Sequence, residues 1–181
     1  MELKKKGQKV LLITGEYEDK IAAHVKGLQH YAFSIIIFNK KGQMLLQKRD
    51  SKKYHSGNLW TNSCCSHPLT TEVNALKIEA RKRLEYELGI STKLEIAFVL
   101  SYRGICSGLT ENEVDYVLYG YSNEEPNPNK SEVMDYKWCY LSDVISDIEK
   151  NPSIYTLWFK HIILDYMEEI KIINKMAYAN K

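Results

Sequence analysis

Apolar and polar positions alternate along this chain in blocks that predict a mixture of strands and helices. The strongest strand signal is the apolar run at residues 28–38, which follows a shorter Val- and Leu-rich run at 10–14 that Gly15 ends. Residues 39–42 (Asn-Lys-Lys-Gly) are a turn signal, and residues 44–48 predict the return strand of a hairpin. Residues 50–58 are polar and rich in turn formers, so they predict a loop.

Helical periodicity dominates two later stretches. Apolar residues at positions 73, 76, 80, 84 and 88 predict a helix over 72–88, capped by Thr71 and ended by a left-handed Gly89. Ser142 is expected to cap a short helix that ends before Pro152, and an apolar stripe at 158–170 predicts one closing helix. Residues 19–26 are also compatible with a helix.

Three further strands are predicted at residues 94–101, 113–121 and 133–141, with loops at 104–110 and 122–131. No internal repeat or linker divides the chain, and 181 residues are enough for one substantial core. We therefore expect a single domain over residues 1–181, an α/β (α+β) sandwich with a mixed sheet, in which residues 1–9 form a flexible tail.

The composition adds expectations about location and partners. The formal net charge of +2 is balanced and does not indicate nucleic-acid binding. No apolar run is long enough to cross a bilayer, and no secretory signal follows the basic N-terminal residues. The four cysteines lack CxxC spacing, which favours a reduced, cytoplasmic setting.

The densest group of reactive side chains is Cys64, Cys65 and His67, which stand within four residues. In an extended segment Cys65 and His67 project to the same side, whereas Cys64 projects to the other. One member of the pair could supply a nucleophile or acid while the other holds a metal. Buried cysteines and hydrogen-bonded core histidines are, however, common in proteins.

A second candidate is the pair Glu111 and Glu113 near the start of a predicted strand. Both carboxylates face one side, where they would repel each other unless a cation lies between them. With His24, His30 and His67 they form a set of three nitrogens and two oxygens, which suits Mn, Fe or Zn better than calcium. Spacing alone leaves open that the glutamates start an exposed strand and that the histidines are incidental.

Several basic residues could bind an anionic group: Lys20, Lys48, Arg49, Lys52, Lys53 and Arg83. Taken singly, each is more typical of a solvated surface charge, and Glu87 is either a surface glutamate or a magnesium ligand. Tyr102 and Trp158 are most simply core aromatics. His55 and His161 are interpreted as structural or surface residues.

Several motifs occur in an order that resembles one known family. They are WTNSCCSHP (60–68), RLEYELG (83–89), YRG (102–104), ENEVDY (111–116), EVMDYKW (132–138) and LWF (157–159). Together they resemble the type I isopentenyl diphosphate isomerases, a branch of the Nudix superfamily, over residues 10–158. The resemblance implies an α/β/α Nudix sandwich and interconversion of isopentenyl and dimethylallyl diphosphate.

The resemblance also implies roles for individual residues. Cys65, not Cys64, matches the family's cysteine, and Tyr102 and Trp158 match the tyrosine beside the catalytic glutamate and the tryptophan over the hydrocarbon. The implied metal ligands are His24, His30, His67, Glu111 and Glu113. Glu87 matches the carboxylate associated with a magnesium ion on the diphosphate, and the matching basic positions near that diphosphate are Lys20, Arg49, Lys53 and Arg83.

Isomerisation of an unactivated double bond can proceed by protonation to a tertiary carbocation and loss of a different proton. Cys65 and Glu113 are the candidate acid–base pair, Tyr102 would orient the glutamate, and Trp158 would offer a π-face to the cation. The expected cofactors are Mg²⁺ on the diphosphate through Glu87 and Mn²⁺ or Zn²⁺ at the His/Glu site, without flavin or nicotinamide. The expected partner is a small-molecule diphosphate, and the expected assembly is a monomer or weak homodimer.

Two features depart from a simple match. Arg83 and Tyr86 stand where Nudix hydrolases usually carry glutamates, which argues against diphosphate hydrolysis, and His24 is placed only by the KIAAH sequence at 20–24. The alternatives are a metal-dependent Nudix hydrolase and a non-catalytic zinc-binding module. The latter would use Cys64, Cys65 and His67, whose spacing suits a closed zinc shell poorly.

Overall fold

The computed structural model describes residues 8–179. Along the chain its elements are β1 (Lys9–Leu11), β2 (Tyr17–Asp19), α1 (Lys20–Lys26), β3 (His30–Phe38), β4 (Gln43–Arg49), β5 (Trp60–Thr61), β6 (Cys64–Ser66), α2 (Val73–Leu88), β7 (Glu95–Cys106), β8 (Leu109–Tyr121), β9 (Val133–Tyr140), α3 (Leu141–Lys150), α4 (Leu157–Asp165) and α5 (Met167–Ala179), with a 3₁₀ turn at Pro152–Ile154. The first seven residues of the predicted N-terminal tail lie outside this range, and Lys9 begins β1.

Seven strands form one mixed sheet with β3 near its centre. The main order is β5-β4-β3-β8-β7, with β6 also paired to β3 and β9 paired to β4. Strand β3 runs parallel to β8 and antiparallel to β4 and β6. The predicted 28–48 hairpin exists only at its base, where Phe38 pairs with Met44, because β4 then continues along β9 instead.

Successive residues of β3 point to opposite faces of the sheet, and both faces are covered. Ile35 and Ile37 share one core with the apolar residues of α2, whereas Ile36 and Phe38 share the other with α3, α4 and α5. Burial on both faces explains why this strand is almost continuously apolar. The structure is the α/β/α sandwich that the sequence predicts.

Strands β7 and β8 are longer than the sequence pattern predicts. The loop predicted at 104–110 is wrong, because β7 extends to Cys106 and β8 starts at Leu109. Only Ser107 and Gly108 remain between the strands, with positive φ angles of 53° and 79°. Pairing with a neighbouring strand outweighs the low strand propensity of the polar residues here, and it places Glu111 inside β8 rather than at its edge.

The helix ends also differ in detail. Thr71 does not cap α2, because the Glu72 carboxylate accepts hydrogen bonds from two backbone N–H groups of the first turn. Ser142 lies inside α3 and is not its cap. Gly89 adopts the predicted left-handed conformation, with φ of 68°.

The closing segment contains two helices rather than the predicted single helix. Helix α4 ends at Asp165, and Tyr166 (φ −120°, ψ 33°) separates it from α5. The Tyr166 ring stacks on Phe98 with ring centroids 4.4 Å apart. No Pro or Gly marks the break, so the apolar stripe alone could not reveal it.

Candidate active site

The centre of the site is built by the parallel register of β3 and β8. His30 pairs directly with Glu113, and Glu111 lies two residues earlier on the same buried side of β8. Strand β6 pairs with β3 so that Cys65 stands opposite Ser34. The short helix α1, capped by Asp19, brings His24 to the same end of the sheet.

Glu113 uses its two oxygens for different partners. Its Oε1 lies 2.9 Å from His67 Nε2 and 3.3 Å from His30 Nε2. Its Oε2 accepts a hydrogen bond from the Tyr102 hydroxyl. The structure therefore brings together the glutamate, the tyrosine and two of the histidines that the sequence singled out.

Glu111 also lies between two imidazoles, and one of them is unexpected. Its carboxylate lies 3.6 Å from His24 Nε2 and 2.7 Å from His55 Nε2. Of the two interpretations of His55, structural or surface residue, the surface one is wrong, because its side chain is buried against Glu111. The sequence signal that could have indicated the burial of His55 is the aromatic residue Tyr54, which directly precedes it in an otherwise polar loop. His161, by contrast, is a surface residue that pairs with Asp165 at 2.7 Å.

The hydrogen bonds of the ring Nδ1 atoms show which nitrogen carries a hydrogen in two of these imidazoles. His24 Nδ1 lies 2.6 Å from the Lys20 carbonyl oxygen, and His30 Nδ1 lies 2.8 Å from the Leu28 carbonyl oxygen. A carbonyl only accepts, so each Nδ1 carries a hydrogen, and Nε2 is the ring nitrogen that faces the glutamates.

Three buried polar atoms of this cluster have no hydrogen-bond partner within residues 8–179: His30 Nε2, His55 Nε2 and Glu111 Oε1. The donor atoms form two sets, each within 4.8 Å: His24, His30, His67 and Glu113, and His24, His55 and Glu111. Such a mixture of imidazole and carboxylate donors fits a transition-metal ion of the Mn, Fe or Zn type. The residues present thus fit a divalent metal, as the resemblance implies.

Burial and the charge of each glutamate on the other oppose ionisation of the pair. The neighbouring imidazoles outweigh both effects, so the pKa of Glu111 is lowered and that of Glu113 is lowered well below its usual value. The pKa of Tyr102 is raised by burial and by the charge of Glu113. At neutral pH the site therefore contains two carboxylates and a protonated tyrosine that donates to one of them.

The two adjacent cysteines face opposite ways, as predicted. Cys64 is fully buried in the core beside α2, whereas Cys65 lines the cavity. The Cys65 sulfur lies 3.1 Å from both Asn62 Oδ1 and Trp158 Nε1. Burial raises the pKa of the Cys65 thiol to about 12, so this sulfur holds its proton at neutral pH.

Trp158 lines the cavity next to a cation that lines it too. It is 4% exposed, and its ring has the Arg49 guanidinium carbon 5.1 Å from its centroid. The indole N–H points to the Cys65 sulfur and to Asn62 Oδ1. Contacts at the ring face and at the indole N–H therefore fix the position and orientation of the ring. Trp158 thus contacts groups of the site in addition to packing in the core.

The loop at 50–58, predicted correctly, is fastened by the same arginine. Arg49 donates from Nε to the Ser56 carbonyl oxygen (3.2 Å) and from Nη2 to the His55 carbonyl oxygen (3.3 Å). Gly57 permits the close approach, since a Cβ there would lie 2.8 Å from the Ser51 carbonyl oxygen. These contacts hold His55 in place over the glutamates.

One cavity of about 1060 Å³ joins these groups to a basic region. All four basic residues matched to the diphosphate line it: Lys20, Arg49, Lys53 and Arg83. Burial and the neighbouring positive charges lower the pKa of Lys20 to about 8. Such a concentration of cations around a cavity is suited to an anionic ligand.

Glu87 belongs to this basic region and not to either set of metal donors in the described chain. Its Oε1 accepts from Arg83 Nε at 2.7 Å and its Oε2 from Gln47 Nε2 at 2.9 Å. Lys53 lies 4.0 Å from Oε1 and also pairs with Glu132. The predicted role of Glu87 as a ligand of a magnesium ion on the diphosphate stays a prediction.

The NUDIX domain model matches residues 28–159. The chain is 41% identical to isopentenyl-diphosphate Delta-isomerase 2 of Photorhabdus laumondii, with 94% of each chain covered. This chain belongs to the isopentenyl-diphosphate Delta-isomerase family. Another relative in the family, isopentenyl-diphosphate Delta-isomerase 1 of Aromatoleum aromaticum, is 42% identical over 81% of this chain and 82% of its own.

Solved structures confirm the fold of this NUDIX member. A MutT protein from Methanosarcina mazei Go1 superposes with a TM-score of 0.61 at 19% identity, covering 81% of this chain and 96% of that one. A Deinococcus radiodurans protein gives 0.64 at 13% identity, with 91% and 98% covered. Within the described residues, every helix is too short or too polar to cross a membrane.

Proposed function

We propose that this member of the isopentenyl-diphosphate Delta-isomerase family interconverts isopentenyl diphosphate and dimethylallyl diphosphate. The observation that carries the proposal is one cavity lined by a protonated thiol, an ionised glutamate and four cationic side chains. Relatives matched over 94% and 81% of the chain carry the name of that activity.

The reaction needs one group that gives a proton to the double bond and one that takes a different proton away. Protonation of the terminal carbon gives a tertiary cation, and loss of a proton from the neighbouring methylene forms the internal double bond. Cys65 holds a proton at neutral pH and Glu113 does not, so the two groups start in complementary states. In the reverse reaction they exchange these roles.

Tyr102 positions Glu113 for this step. Its hydroxyl donates to Oε2, the oxygen that the imidazoles leave free. Cys65 is the other member of the acid–base pair, and Asn62 and Trp158 hold its sulfur in a similar way. Each proton-transfer atom thus has a fixed position before the substrate binds.

The cationic intermediate needs an electron-rich and water-poor surrounding. Trp158 supplies a buried ring next to Cys65, and a desolvated cation–π contact contributes about 2 kcal/mol. The Arg49 charge beside the same ring opposes a second cation at close range. We therefore place the hydrocarbon against the part of the ring that lines the cavity and the diphosphate towards Arg49.

The histidines and glutamates would hold a divalent ion, which supplies charge that offsets the two adjacent carboxylates. We propose Mn²⁺ or Zn²⁺ for these donors, because imidazole nitrogens favour them over Mg²⁺. Mg²⁺ would accompany the diphosphate near Glu87, beside Arg83 and Lys53. The proposal includes a cytoplasmic monomer or weak homodimer that needs no flavin or nicotinamide and binds neither nucleic acid nor membrane.

A single assay tests the activity. Purified protein is incubated with isopentenyl diphosphate and Mg²⁺ or Mn²⁺, and dimethylallyl diphosphate and released phosphate are measured separately. We expect the isomer without phosphate release, in both directions, and loss of activity on chelation. Phosphate release would instead indicate the Nudix hydrolase alternative, and an unchanged substrate with bound zinc would indicate the binding module.

A further inference from the structure

The family resemblance assigns three histidines to the metal, but the structure places a fourth imidazole beside His24 and Glu111, two of the implied ligands. His55 is 4% exposed, and its Nε2 lies 2.7 Å from Glu111 Oε1. It belongs with His24 and Glu111 to a set of donor atoms within 4.8 Å of one another. Neither the motifs of the sequence nor the names of the relatives assign a role to this residue.

The contact between His55 and Glu111 is close but is not a hydrogen bond. Both His55 Nε2 and Glu111 Oε1 are buried without a hydrogen-bond partner among the described residues, although 2.7 Å separates them. Two ligands with bonds of about 2.1 Å to one ion lie roughly 3.0 Å apart at the octahedral angle of about 90°, so the observed 2.7 Å is slightly shorter than that separation. Two donors that approach closely without aiming at each other are typical of ligands that converge on a third atom.

The remaining contacts of His55 match those of a metal-bound histidine. Its Nδ1 lies 3.0 Å from the Ser56 hydroxyl oxygen, which is able to accept from it, whereas the Nδ1 atoms of His24 and His30 donate to carbonyl oxygens. A hydrogen bond at the second nitrogen orients a ligand ring and leaves Nε2 for the metal. Nε2 of His30, which the resemblance does assign to the metal, is unpartnered in the same way.

We propose that His55 is a direct ligand of the divalent metal through the set that it shares with His24 and Glu111, so that four imidazoles of this chain bind metal. The added nitrogen favours Zn²⁺, Co²⁺ or Mn²⁺ over Mg²⁺ at this site. The inference rests on the metal site of the proposed function, but its test does not use the reaction.

The test compares His55→Phe with His161→Phe, which is the same change at a partly exposed histidine that pairs with Asp165 and belongs to neither donor set. Each protein is stripped of metal, loaded with Co²⁺ and studied by paramagnetic NMR with nitrogen-labelled histidine. We expect His55→Phe to lose one strongly shifted ring N–H signal and at least about tenfold in Co²⁺ affinity, and His161→Phe to lose neither. Should His55→Phe fail to fold, His55→Gln must lose the same signal.

An unchanged set of shifted signals in a folded His55 variant overturns the proposal, even if the affinity falls, because it leaves His55 a neighbour of Glu111 and not a ligand. Isomerisation by a protein with only three metal-bound imidazoles would overturn this inference alone. Four metal-bound imidazoles in a protein that does not isomerise the substrate would overturn the proposed function alone.

Discussion

The two ends of the cavity are built in opposite ways. At one end, two buried carboxylates face four imidazoles, and three polar atoms lack a hydrogen-bond partner among residues 8–179. At the other end, Lys53 and Arg83 already have acidic partners in Glu87 and Glu132. The donors of the first end suit an added cation, whereas Arg49 and Lys20 line the cavity without an acidic partner among the ion pairs of the described residues and suit an anion.

Because of this difference, we expect metal removal and substitutions to have different effects at the two ends. Unpaired buried acceptors cost free energy, so the imidazole end should gain stability from metal as well as function. The basic end has satisfied ion pairs, so changes there should affect substrate binding more than folding. Between the ends lie Cys65 and Trp158, whose changes should affect turnover more than substrate binding.

The largest effect is expected at the junction of the two ends. Cys65→Ala should lower turnover by about 10²–10⁴-fold, the range for one acid–base group, with unchanged metal content. Cys64→Ala is the matched control, since that sulfur lies in the core on the opposite side, and it should cost only about 1 kcal/mol of stability. Equal losses of turnover in the two variants would contradict the assignment of Cys65.

The metal dependence of the imidazole end is the next largest effect. His30→Ala removes an unpartnered buried nitrogen beside Glu113 and should lower metal affinity by more than about tenfold. Thermal unfolding with and without chelator measures the consequence, which is about 1.4 kcal/mol of stability per tenfold change in affinity when metal is in excess. If chelation destabilises the variant as much as the unsubstituted protein, His30 does not hold the ion. The same experiment on His24→Ala tests the assignment of His24 as a metal ligand, which in the sequence depends on the KIAAH match alone.

Trp158 should show an intermediate effect. Loss of about 2 kcal/mol of cation–π stabilisation predicts roughly a thirtyfold lower turnover for Trp158→Leu, with a smaller change in KM. Trp158→Phe should recover part of it, though not the contact of the indole N–H with Cys65. Binding of an ammonium analogue of the intermediate should weaken more than binding of substrate; parallel losses would reduce Trp158 to packing.

The smallest effect concerns the charge at the basic end. The folded-state pKa of Lys20 lies near 8, below its ordinary value, because of burial and the charges of Arg49, Lys53 and Arg83. Lys20 therefore loses its charge as pH rises through about 8. Because the neutral amine binds the diphosphate less well, kcat/KM should fall by up to about tenfold as pH rises past this value. The same shift should make the free energy of unfolding rise slightly as pH increases from 8 to 10.5. In this range the Lys20 side chain is protonated in the unfolded chain and largely neutral in the folded protein.

Lys20→Met supplies the comparison for that profile. It should have a lower kcat/KM that no longer changes near pH 8, whereas metal content stays constant. A variant that keeps the full pH-dependent fall would assign it to another group. A variant that loses metal would show that the two ends are not independent.

Much of the fold could be predicted from local patterns. The apolar run of β3, the periodicity of α2 and the left-handed Gly89 are each determined by residues close in sequence. The opposite directions of Cys64 and Cys65 likewise follow from the period of a strand. These features were right because a single physical preference, burial or backbone conformation, dominates at each of them.

The remaining features depend on residues distant in sequence. The extension of β7 and β8 through 104–110, the partners of β4 and the break at Tyr166 depend on strand pairing and packing that no local pattern contains. The position of His55 is the clearest case. In the sequence it is one histidine in a polar loop, and only the hydrogen bonds of Arg49 to that loop turn it onto Glu111, 56 residues further along the chain. The sequence determined which donor groups exist and on which face of a strand most of them lie. The tertiary structure decided which of them meet, because a metal site needs several buried donors within a few ångströms and that distance is set by packing, not by spacing along the chain.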